Sequence, residues 1–352
     1  MPATLLSQPM KLDVGAVVSV DAPARLHLGF LDPSGSLGRR FGSIGLVIDG
    51  LATQIQIGAS VADVVVGTSA SAQLEVERAA EHLRRLREHT GRLQPLELRL
   101  AQVLPPHAGF GSGTQLALAI GKAFACWHRL DMDAVTLADV LGRGLRSGVG
   151  IAGFDHGGLL VDGGPGADGR AAPLLSRVDF PTDWRIVLAQ DARVRGLSGR
   201  DERQAFVALP PLSQAAAADV CHHVLMRVLP GAAAGEFATF ARGLTHVQRV
   251  LGEHFAPAQE GRAFTSASVG RLVQWLGSVG LDGHSGDDAE AARAAIGQSS
   301  WGPTGFAVLP SQASAEALLL AARAAGVVDP ALDVRIVAAR NHGALLRDPR
   351  PS

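Results

Sequence analysis

A glycine-rich segment between a predicted strand and a predicted helix constrains this chain more than any other feature. Residues 105–115 read PPHAGFGSGTQ. Glycines let the backbone turn sharply and approach an anion, and the following helix presents unpaired N–H groups at the positive end of its dipole. With the hydroxyls of Ser112 and Thr114, the segment predicts a phosphate cradle, although a tight turn without a ligand explains the same pattern. It is not a Walker A loop, because no Gly-Lys-Ser/Thr closes it, and Thr114 replaces the third glycine of a Rossmann fingerprint.

Length, charge and cysteine content limit the remaining possibilities. The 352 residues predict two domains, and the formal net charge of −1 argues against a partner that is nucleic acid or a membrane surface. No apolar run is long enough to cross a bilayer, and the first residues lack the features of a signal peptide. Cys126 and Cys221 neither make a disulfide framework nor form a CxxC pair. A cytoplasmic protein is therefore expected.

Hydrophobic periodicity predicts a chain of mixed helices and strands in two parts. Helical spacing over residues 113–129 places Leu116, Ile120 and Phe124 on one apolar face. The pattern changes near residue 180, which predicts an N-terminal domain over residues 12–180 and a C-terminal domain over residues 181–345. Alternating or continuous apolar runs predict strands at residues 16–20, 44–48, 53–57, 96–104, 157–161, 184–190, 304–309 and 334–338.

Three motifs follow one another along the chain: a Pro-x-Arg-x-x-x-Gly strand at residues 23–29, the glycine-rich segment, and SSWGPTGFA at residues 299–307. In this order they resemble the three motifs of the GHMP kinase superfamily. The resemblance covers nearly the whole chain. It implies an α+β, two-domain GHMP-kinase fold with an N-terminal domain like the second domain of ribosomal protein S5 and a ferredoxin-like C-terminal domain. The ligand is then expected in the cleft between the domains, against the glycine-rich segment.

A further set of motifs is more specific. The set is GFGSGTQ at residues 109–115, RGLRSGVG at 143–150, FDHGG at 154–158, RGLSG at 195–199 followed by Glu202, and WGPTGF at 301–306. These motifs are similar to those of the β-ribofuranosylaminobenzene 5'-phosphate synthases of that superfamily. This resemblance implies phosphoribosyl transfer from phosphoribosyl pyrophosphate to 4-aminobenzoate or 4-hydroxybenzoate, with loss of CO2 and pyrophosphate, as an early step of tetrahydromethanopterin biosynthesis.

Against that chemistry, the expected catalytic residues are Asp155, Arg146 and Glu202. Asp155 is also the expected ligand of Mg²⁺, and no ATP is expected. Each assignment has a simpler explanation: a loop Asp caps turns, a surface Arg is solvated, and Glu202 suits the first turn of a helix. The expected phosphate- and substrate-binding residues are Arg25, His27, Gly109, Gly111, Ser112, Gly113, Thr114, Gln115, Arg143, Ser147, Arg195, Ser198, Gly199, Trp301, Gly302 and Thr304.

Two alternative functions stay open at this point. In several GHMP kinases a catalytic Asp follows a Ser-Gly-x pattern, and the matching position here is Gly150. A kinase reaction on a small alcohol would therefore need a substitute base, for which Asp155 is the candidate. The second alternative is a non-catalytic ligand-binding protein on the same fold. By analogy with the superfamily, a homodimer is an expected state.

Overall fold

Two β-sheets with helices packed on their faces form the protein. The computed structural model describes residues 15–166, 169–197, 199–281 and 293–351, with the side chains of residues 200 and 201 outside this description. The strands are β1 (Val17–Asp32), β2 (Phe41–Ala59), β3 (Val64–Gly67), β4 (Leu96–Gln102), β5 (Leu159–Asp162), β6 (Leu174–Val178), β7 (Arg185–Gln190), β8 (Ala295–Gln298), β9 (Thr304–Leu309), β10 (Asp333–Ala338) and β11 (Leu345–Arg347).

Eleven helices are present in the described part of the chain, together with two short turns of other helical types. A π-helical turn covers Val224–Val228 and a 3₁₀ turn covers Ala256–Gln259. None of these helices is both long and apolar enough to cross a membrane. The helices are α1 (Ala70–Gln73), α2 (Val76–Thr90), α3 (Ser112–Trp127), α4 (Ala134–Val140), α5 (Val149–His156), α6 (Gly199–Ala208), α7 (Gln214–His223), α8 (Leu229–Ala234), α9 (Phe237–Phe255), α10 (Ala267–Ser278) and α11 (Gln312–Ala324).

The first sheet is built around the long antiparallel pair β1 and β2. Its main path runs β11-β1-β2-β4-β3, with β5 paired to β2 and β6 paired to β5. The sequence predicts two shorter strands where β2 is continuous, and it does not predict the full length of β1. The register of β1 shifts between Pro23 and Arg25. Proline donates no ladder hydrogen bond, so a bulge lets the strand continue past it.

Helix α3 is the central helix of the N-terminal half, as its apolar spacing predicts. It packs on β1 and β2 and is flanked by α2, α4 and α5. Nearly every residue from Gln115 to Trp127 is buried, because the helix has the sheet on one side and other helices on the rest. This packing fixes the amino end of α3, and with it the glycine-rich segment, relative to β1.

The second sheet has the strand order expected of a ferredoxin-like domain. Its four strands run β10-β7-β9-β8 and all pair antiparallel. Numbered within this half of the chain, the order is 4-1-3-2, with helices after its first and third strands, as in the β-α-β-β-α-β arrangement. Buried residues of α10 and α11 pack against this sheet in a shared apolar cluster.

A continuous apolar core joins the two halves. It includes Leu26 and Leu28 of β1, Trp184 next to β7, Phe240 of α9 and Phe306 of β9. After the second sheet the chain returns to the first sheet, where β11 pairs with β1. Of β11, only Leu345 falls inside the predicted second domain, which ends at residue 345. The shared core thus holds the two sheets together.

Candidate active site

The glycine-rich segment forms a loop that brings backbone close to two other parts of the chain. Gly109 and Gly111 have positive φ values of 91° and 74°. A side chain on Gly109 would collide with Ser299, since its Cβ would lie 2.5 Å from the Ser299 carbonyl oxygen. Helix α3 begins after Gly111 without a side-chain cap, so its first N–H groups are available to a ligand. The loop therefore has the properties of an anion site.

Ser299 ties the loop to β1 and to the third motif. Its hydroxyl accepts a hydrogen bond from the His27 backbone N–H at 2.9 Å and donates one to the Gly109 carbonyl at 2.6 Å. The Ser300 N–H donates to the His27 carbonyl at 3.0 Å. Three segments far apart in sequence thus meet at one hydroxyl, which fixes the loop relative to β1.

Guanidinium groups surround the amino end of α3. Arg25 lies beside Gly111 and Arg143 beside Gly113, on two sides of the helix end. Burial lowers the pKa of Arg25 to about 10, with Glu202 and Asp162 acting in the opposite direction. The Nε atoms of both arginines are buried and have no partner among the described residues. These buried cations lack full neutralisation and favour an anionic ligand.

A cleft of about 800 Å³ contains these groups. This space, which we call the cleft, lies between β1, the glycine-rich loop, residues 142–147, α6 and residues 300–302. Glu202 of α6 is the one carboxylate among the described residues that line it, and Glu202 forms an ion pair with Arg146. Burial raises the pKa of Glu202, while Arg146 and Arg25 oppose that rise. The arginines that line the cleft are Arg25, Arg40, Arg78, Arg143, Arg146 and Arg203.

Asp162 at the end of β5 positions the segment that carries Arg146. Its carboxylate accepts hydrogen bonds from the N–H groups of Gly148 and Val149 at 2.7 and 3.1 Å, where α5 begins. The Ser147 hydroxyl also donates to it at 3.4 Å. Burial raises the pKa of Asp162, and four backbone N–H donors oppose that rise. A buried carboxylate at a helix amino end is stabilised by those donors and by the helix dipole.

A second, smaller space adjoins the cleft and has mainly apolar walls. This aromatic cavity measures about 340 Å³ and is lined by residues of β1, α9 and β8 and by Trp301. Phe255 packs against Trp301 with ring centroids 4.8 Å apart, and Phe206 meets Trp301 at 5.5 Å from the cleft side. Its volume is in the range of small-ligand pockets.

His27 and Trp301 form the boundary between the cleft and the aromatic cavity, because both line both spaces. Both ring nitrogens of His27 are buried without a partner among the described residues, as is Nε1 of Trp301. Burial, then the charges of Arg25 and Arg146, hold the pKa of His27 well below its usual range. His27 is therefore a neutral imidazole, and these unpartnered polar atoms indicate a ligand at the boundary.

Relatives of known name match most of the chain. A β-ribofuranosylphenol 5'-phosphate synthase from Archaeoglobus fulgidus is 32% identical over 303 residues, covering 83% of this chain and 87% of the relative. One from Methanothermobacter thermautotrophicus is 29% identical over 307 residues, covering 82% and 88%. The chain belongs to the β-ribofuranosylphenol 5'-phosphate synthase family.

The GHMP superfamily fold is also confirmed. Residues 75–158 match the family described as GHMP kinases N terminal domain. A phosphomevalonate kinase from Streptococcus pneumoniae has a TM-score of 0.66 at 11% identity, covering 92% of this chain and all of that chain. A homoserine kinase from Cytophaga hutchinsonii has a TM-score of 0.60 at 15% identity, covering 98% and 100%. At these identities, the likeness to the kinases shows the shared fold.

Most residues expected from the resemblance to this synthase family meet in the cleft. Ser198 lies outside the described residues, and its neighbour Gly199 is at the cleft edge. The expected residues that line the cleft are Arg25, His27, Gly109, Gly111, Ser112, Gly113, Thr114, Arg143, Arg146, Ser147, Gly199, Glu202, Trp301 and Gly302.

Three expected binding residues lie behind or beside the cleft. Gln115 is buried and donates through Nε2 to the Gly150 carbonyl at 3.0 Å, which joins α3 to α5. Thr304 is fully buried in β9 and lines neither space. Arg195 is exposed, and its Nη2 lies 2.8 Å from Nε2 of His107. Gln115 and Thr304 therefore support neighbouring structure, and Arg195 reaches the cleft only through His107.

Asp155 requires a correction, because the structure does not bring it into the cleft. It lies near the carboxyl end of α5, about 9 Å along the axis from Val149. The neighbouring Phe154 carbonyl accepts the Ala344 N–H at 2.7 Å, so this end of the helix faces the C-terminal segment. The groups whose charges affect the raised pKa of Asp155 are His156, Lys122 and Asp133, none of which lines the cleft.

Several residues of the site were missed by sequence reasoning. Asp162 and Phe255 lie outside every motif, and no local pattern marks them. Ser299 belongs to the third motif, and this position in a motif could have indicated it as a residue of the site. Phe206 follows Glu202 by one helical turn, which places both on the cleft side of α6.

Proposed function

We propose that this protein joins a phosphoribosyl group to a para-substituted benzoate, as an early step towards tetrahydromethanopterin. A C–C bond forms between ribose C1 of phosphoribosyl pyrophosphate and the ring carbon that bears the carboxylate. Pyrophosphate and CO2 leave. The observation that carries the proposal is the junction, at His27 and Trp301, of a cationic cleft with an apolar aromatic cavity. The relatives' names contain ribofuranosylphenol, which favours 4-hydroxybenzoate over 4-aminobenzoate.

The cleft supplies the groups that a phosphorylated sugar requires. The amino end of α3 offers N–H donors, and Arg25 and Arg143 lie on either side of it. Arginine binds phosphate oxygens through paired N–H donors, and burial strengthens such contacts. In this proposal the pyrophosphate lies at the glycine-rich loop, and the remaining cleft arginines hold the 5'-phosphate.

Glu202 is the group suited to stabilise a ribosyl centre with cationic character. As pyrophosphate departs, positive charge develops at ribose C1, and a fixed negative charge lowers that barrier. The ion pair with Arg146 holds the Glu202 carboxylate in place at the cleft wall. Glu202 thus keeps the catalytic role expected from the sequence, and Arg146 orients it.

The aromatic cavity is the proposed position of the benzoate ring. Phe255 and Trp301 offer ring faces and edges for stacking, and neutral His27 offers hydrogen bonds without a charge. The mainly apolar surface of this cavity solvates a carboxylate less well than water does, which favours its loss as neutral CO2. No base is needed, since the electrons of the broken C–C bond restore the aromatic ring.

Mg²⁺ is part of the proposal, with Glu202 in place of Asp155. Glu202 is the carboxylate that the described cleft residues offer, and Mg²⁺ commonly binds through one or two carboxylates and substrate phosphates. When bound, the ion neutralises charge on the leaving pyrophosphate. A cytoplasmic location and a homodimer stay predictions.

The kinase alternative has weaker support in this cleft. A Cβ on Gly150 would lie 3.2 Å from Cγ2 of Thr114 and 3.7 Å from Nε of Arg25, so a larger side chain has little room there. Asp155, the substitute base, is at the far end of α5. Glu202 is the remaining carboxylate, and its pairing with Arg146 disfavours proton abstraction from an alcohol.

Release of CO2 from carboxyl-labelled 4-hydroxybenzoate tests the proposal directly. Purified protein, Mg²⁺ and phosphoribosyl pyrophosphate should release CO2 and pyrophosphate in equal amounts. Replacing phosphoribosyl pyrophosphate by ATP should abolish release, and 4-aminobenzoate should compete. Absence of release with either benzoate, together with ATP-dependent phosphorylation of a small alcohol, would establish the kinase instead.

A further inference from the structure

Two histidines and an aspartate from neighbouring helices converge outside the cleft and the aromatic cavity. Asp219 and His223 lie one turn apart on α7, and His246 comes from α9. One ligand atom from each residue lies within 4.8 Å of the other two. His246 Nε2 is 2.5 Å from Oδ2 of Asp219, and His223 Nε2 is 3.5 Å from Oδ1. Each imidazole thus faces a different oxygen of the same carboxylate.

The two imidazole rings are too close for both to carry a positive charge. Their centroids are 3.8 Å apart and their planes are inclined by 26°. A neutral imidazole nitrogen and a carboxylate are the forms that bind metal ions.

We propose that Asp219, His223 and His246 form a binding site for a divalent transition-metal ion, with Zn²⁺ as the best match. Two imidazole nitrogens and one carboxylate oxygen suit Zn²⁺, whereas Mg²⁺ and Ca²⁺ prefer oxygen ligands throughout. Tetrahedral Zn²⁺ with bonds of about 2.1 Å separates its ligand atoms by roughly 3.4 Å. The separations in this cluster lie on both sides of that value, so small side-chain rotations complete the geometry, with water as fourth ligand.

The backbone beside the cluster gives a second, independent indication. The π-helical turn Val224–Val228 begins directly after His223 and interrupts the helix that carries two of the three ligands. Such turns are rare in proteins, and those that do occur are often found at functional sites. On α9, His246 is preceded by Thr245, which lines the aromatic cavity. A metal ion here would cross-link α7 to the helix that forms one wall of that cavity.

Titration of untagged, full-length protein with ZnCl2 after chelator treatment and dialysis tests this site. We expect one Zn²⁺ per chain, and CoCl2 should give the visible absorption of a tetrahedral Co²⁺ site. At 100 times the dissociation constant, Zn²⁺ should raise the thermal midpoint by roughly 4 °C. His246→Gln and Asp219→Asn should each weaken binding by about 100-fold, since each removes one of three ligands.

His222→Gln is the matched control, because His222 adjoins His223 in sequence and its ring lies 5.6 Å away without joining the cluster. This variant should bind Zn²⁺ as the parent protein does. Circular dichroism of each variant should match that of the parent, which separates ligand loss from misfolding. Failure of the parent protein to bind one Zn²⁺, or equal weakening by His222→Gln and His246→Gln, would overturn the proposal.

Discussion

The cleft and the aromatic cavity share a wall but present different chemical surfaces. Six arginines and the amino end of α3 line the cleft, with Glu202 as their carboxylate among the described residues. The surface of the cavity is mainly apolar. Its two charged residues among those described, Arg249 and Glu253, form an exposed ion pair with each other at 2.9 Å. Charge is therefore the main feature that the cleft offers a ligand, and aromatic surface is the main feature that the cavity offers.

In the proposed function, this difference between a cationic cleft and a mainly apolar cavity explains how one site holds phosphoribosyl pyrophosphate and a benzoate close enough to react. Buried cations attract phosphates strongly but would also hold a benzoate carboxylate in its ionised form. In the proposed arrangement the ring lies beyond His27 and Trp301, so its carboxylate meets these neutral groups at the boundary before the arginines of the cleft. If the division is correct, substitutions on each side should affect only one substrate.

Arg25→Met should give the largest effect and should act on phosphoribosyl pyrophosphate alone. Arg25 is buried beside the glycine-rich loop, and removing such a cation typically costs about 3–4 kcal/mol, or roughly 10²–10³-fold in kcat/KM. Steady-state kinetics with each substrate varied would measure it. Arg99→Met is the control, because Arg99 pairs with Glu97 on the exposed surface of β4 and should change little. An equal loss for the benzoate KM would contradict the division.

Glu202→Gln should lower kcat by about 100-fold, because the carboxylate charge acts on the transition state. It should also raise the Mg²⁺ concentration for half-maximal activity, because Glu202 is the proposed Mg²⁺ ligand. The pKa of Glu202 is raised by burial, so its ionised form is lost as pH falls, at a higher pH than for an ordinary glutamate. The fall of kcat at acidic pH should therefore begin at a higher pH than for an ordinary glutamate, and this fall should be absent in Glu202→Gln. Glu253→Gln, on the cavity side, should show the same fall of kcat at acidic pH as the parent protein. An unchanged profile in Glu202→Gln would remove Glu202 from catalysis.

Phe255→Leu should raise the KM for the benzoate by about 10-fold and leave that for phosphoribosyl pyrophosphate unchanged. The variant loses ring contacts with Trp301 worth about 0.5–1.5 kcal/mol, along with part of the cavity wall. Phe237→Leu is the matched control, since Phe237 packs on Trp184 outside both spaces. Equal KM values for Phe255→Leu and Phe237→Leu would show that the ring binds elsewhere.

The fold was largely predictable because its strongest signals are local. Helix α3 has a long apolar spacing, and most of the strands of the second sheet have short apolar runs that match their bounds closely. The continuity of β1 and β2 was not predictable, since bulges and glycines interrupt the alternation that marks a strand. The pairing of β11 with β1 joins the two ends of the chain, and no pattern within three residues specifies it.

The cleft side of the site was more predictable than the cavity side. Glycines with positive φ, and arginines in compact motifs, leave a trace in sequence, as Gly111 and Arg25 show. The cavity instead depends on Phe255 and Trp301, which meet only when α9 packs beside the third motif. Aromatic residues in helices usually indicate core packing, so sequence alone gives no reason to separate these two from others.

Asp155→Asn should have the smallest effect and tests the corrected placement of this residue. Asp155 is exposed at the end of α5 that faces the C-terminal segment, so a neutral amide replaces it at little cost. We expect kcat/KM for both substrates and the Mg²⁺ concentration for half-maximal activity to change by no more than about two-fold. A ten-fold rise in the Mg²⁺ requirement with unchanged thermal stability would restore Asp155 as a metal ligand. In that case α5 must move towards the cleft when substrate binds, because Asp162 fixes only its other end.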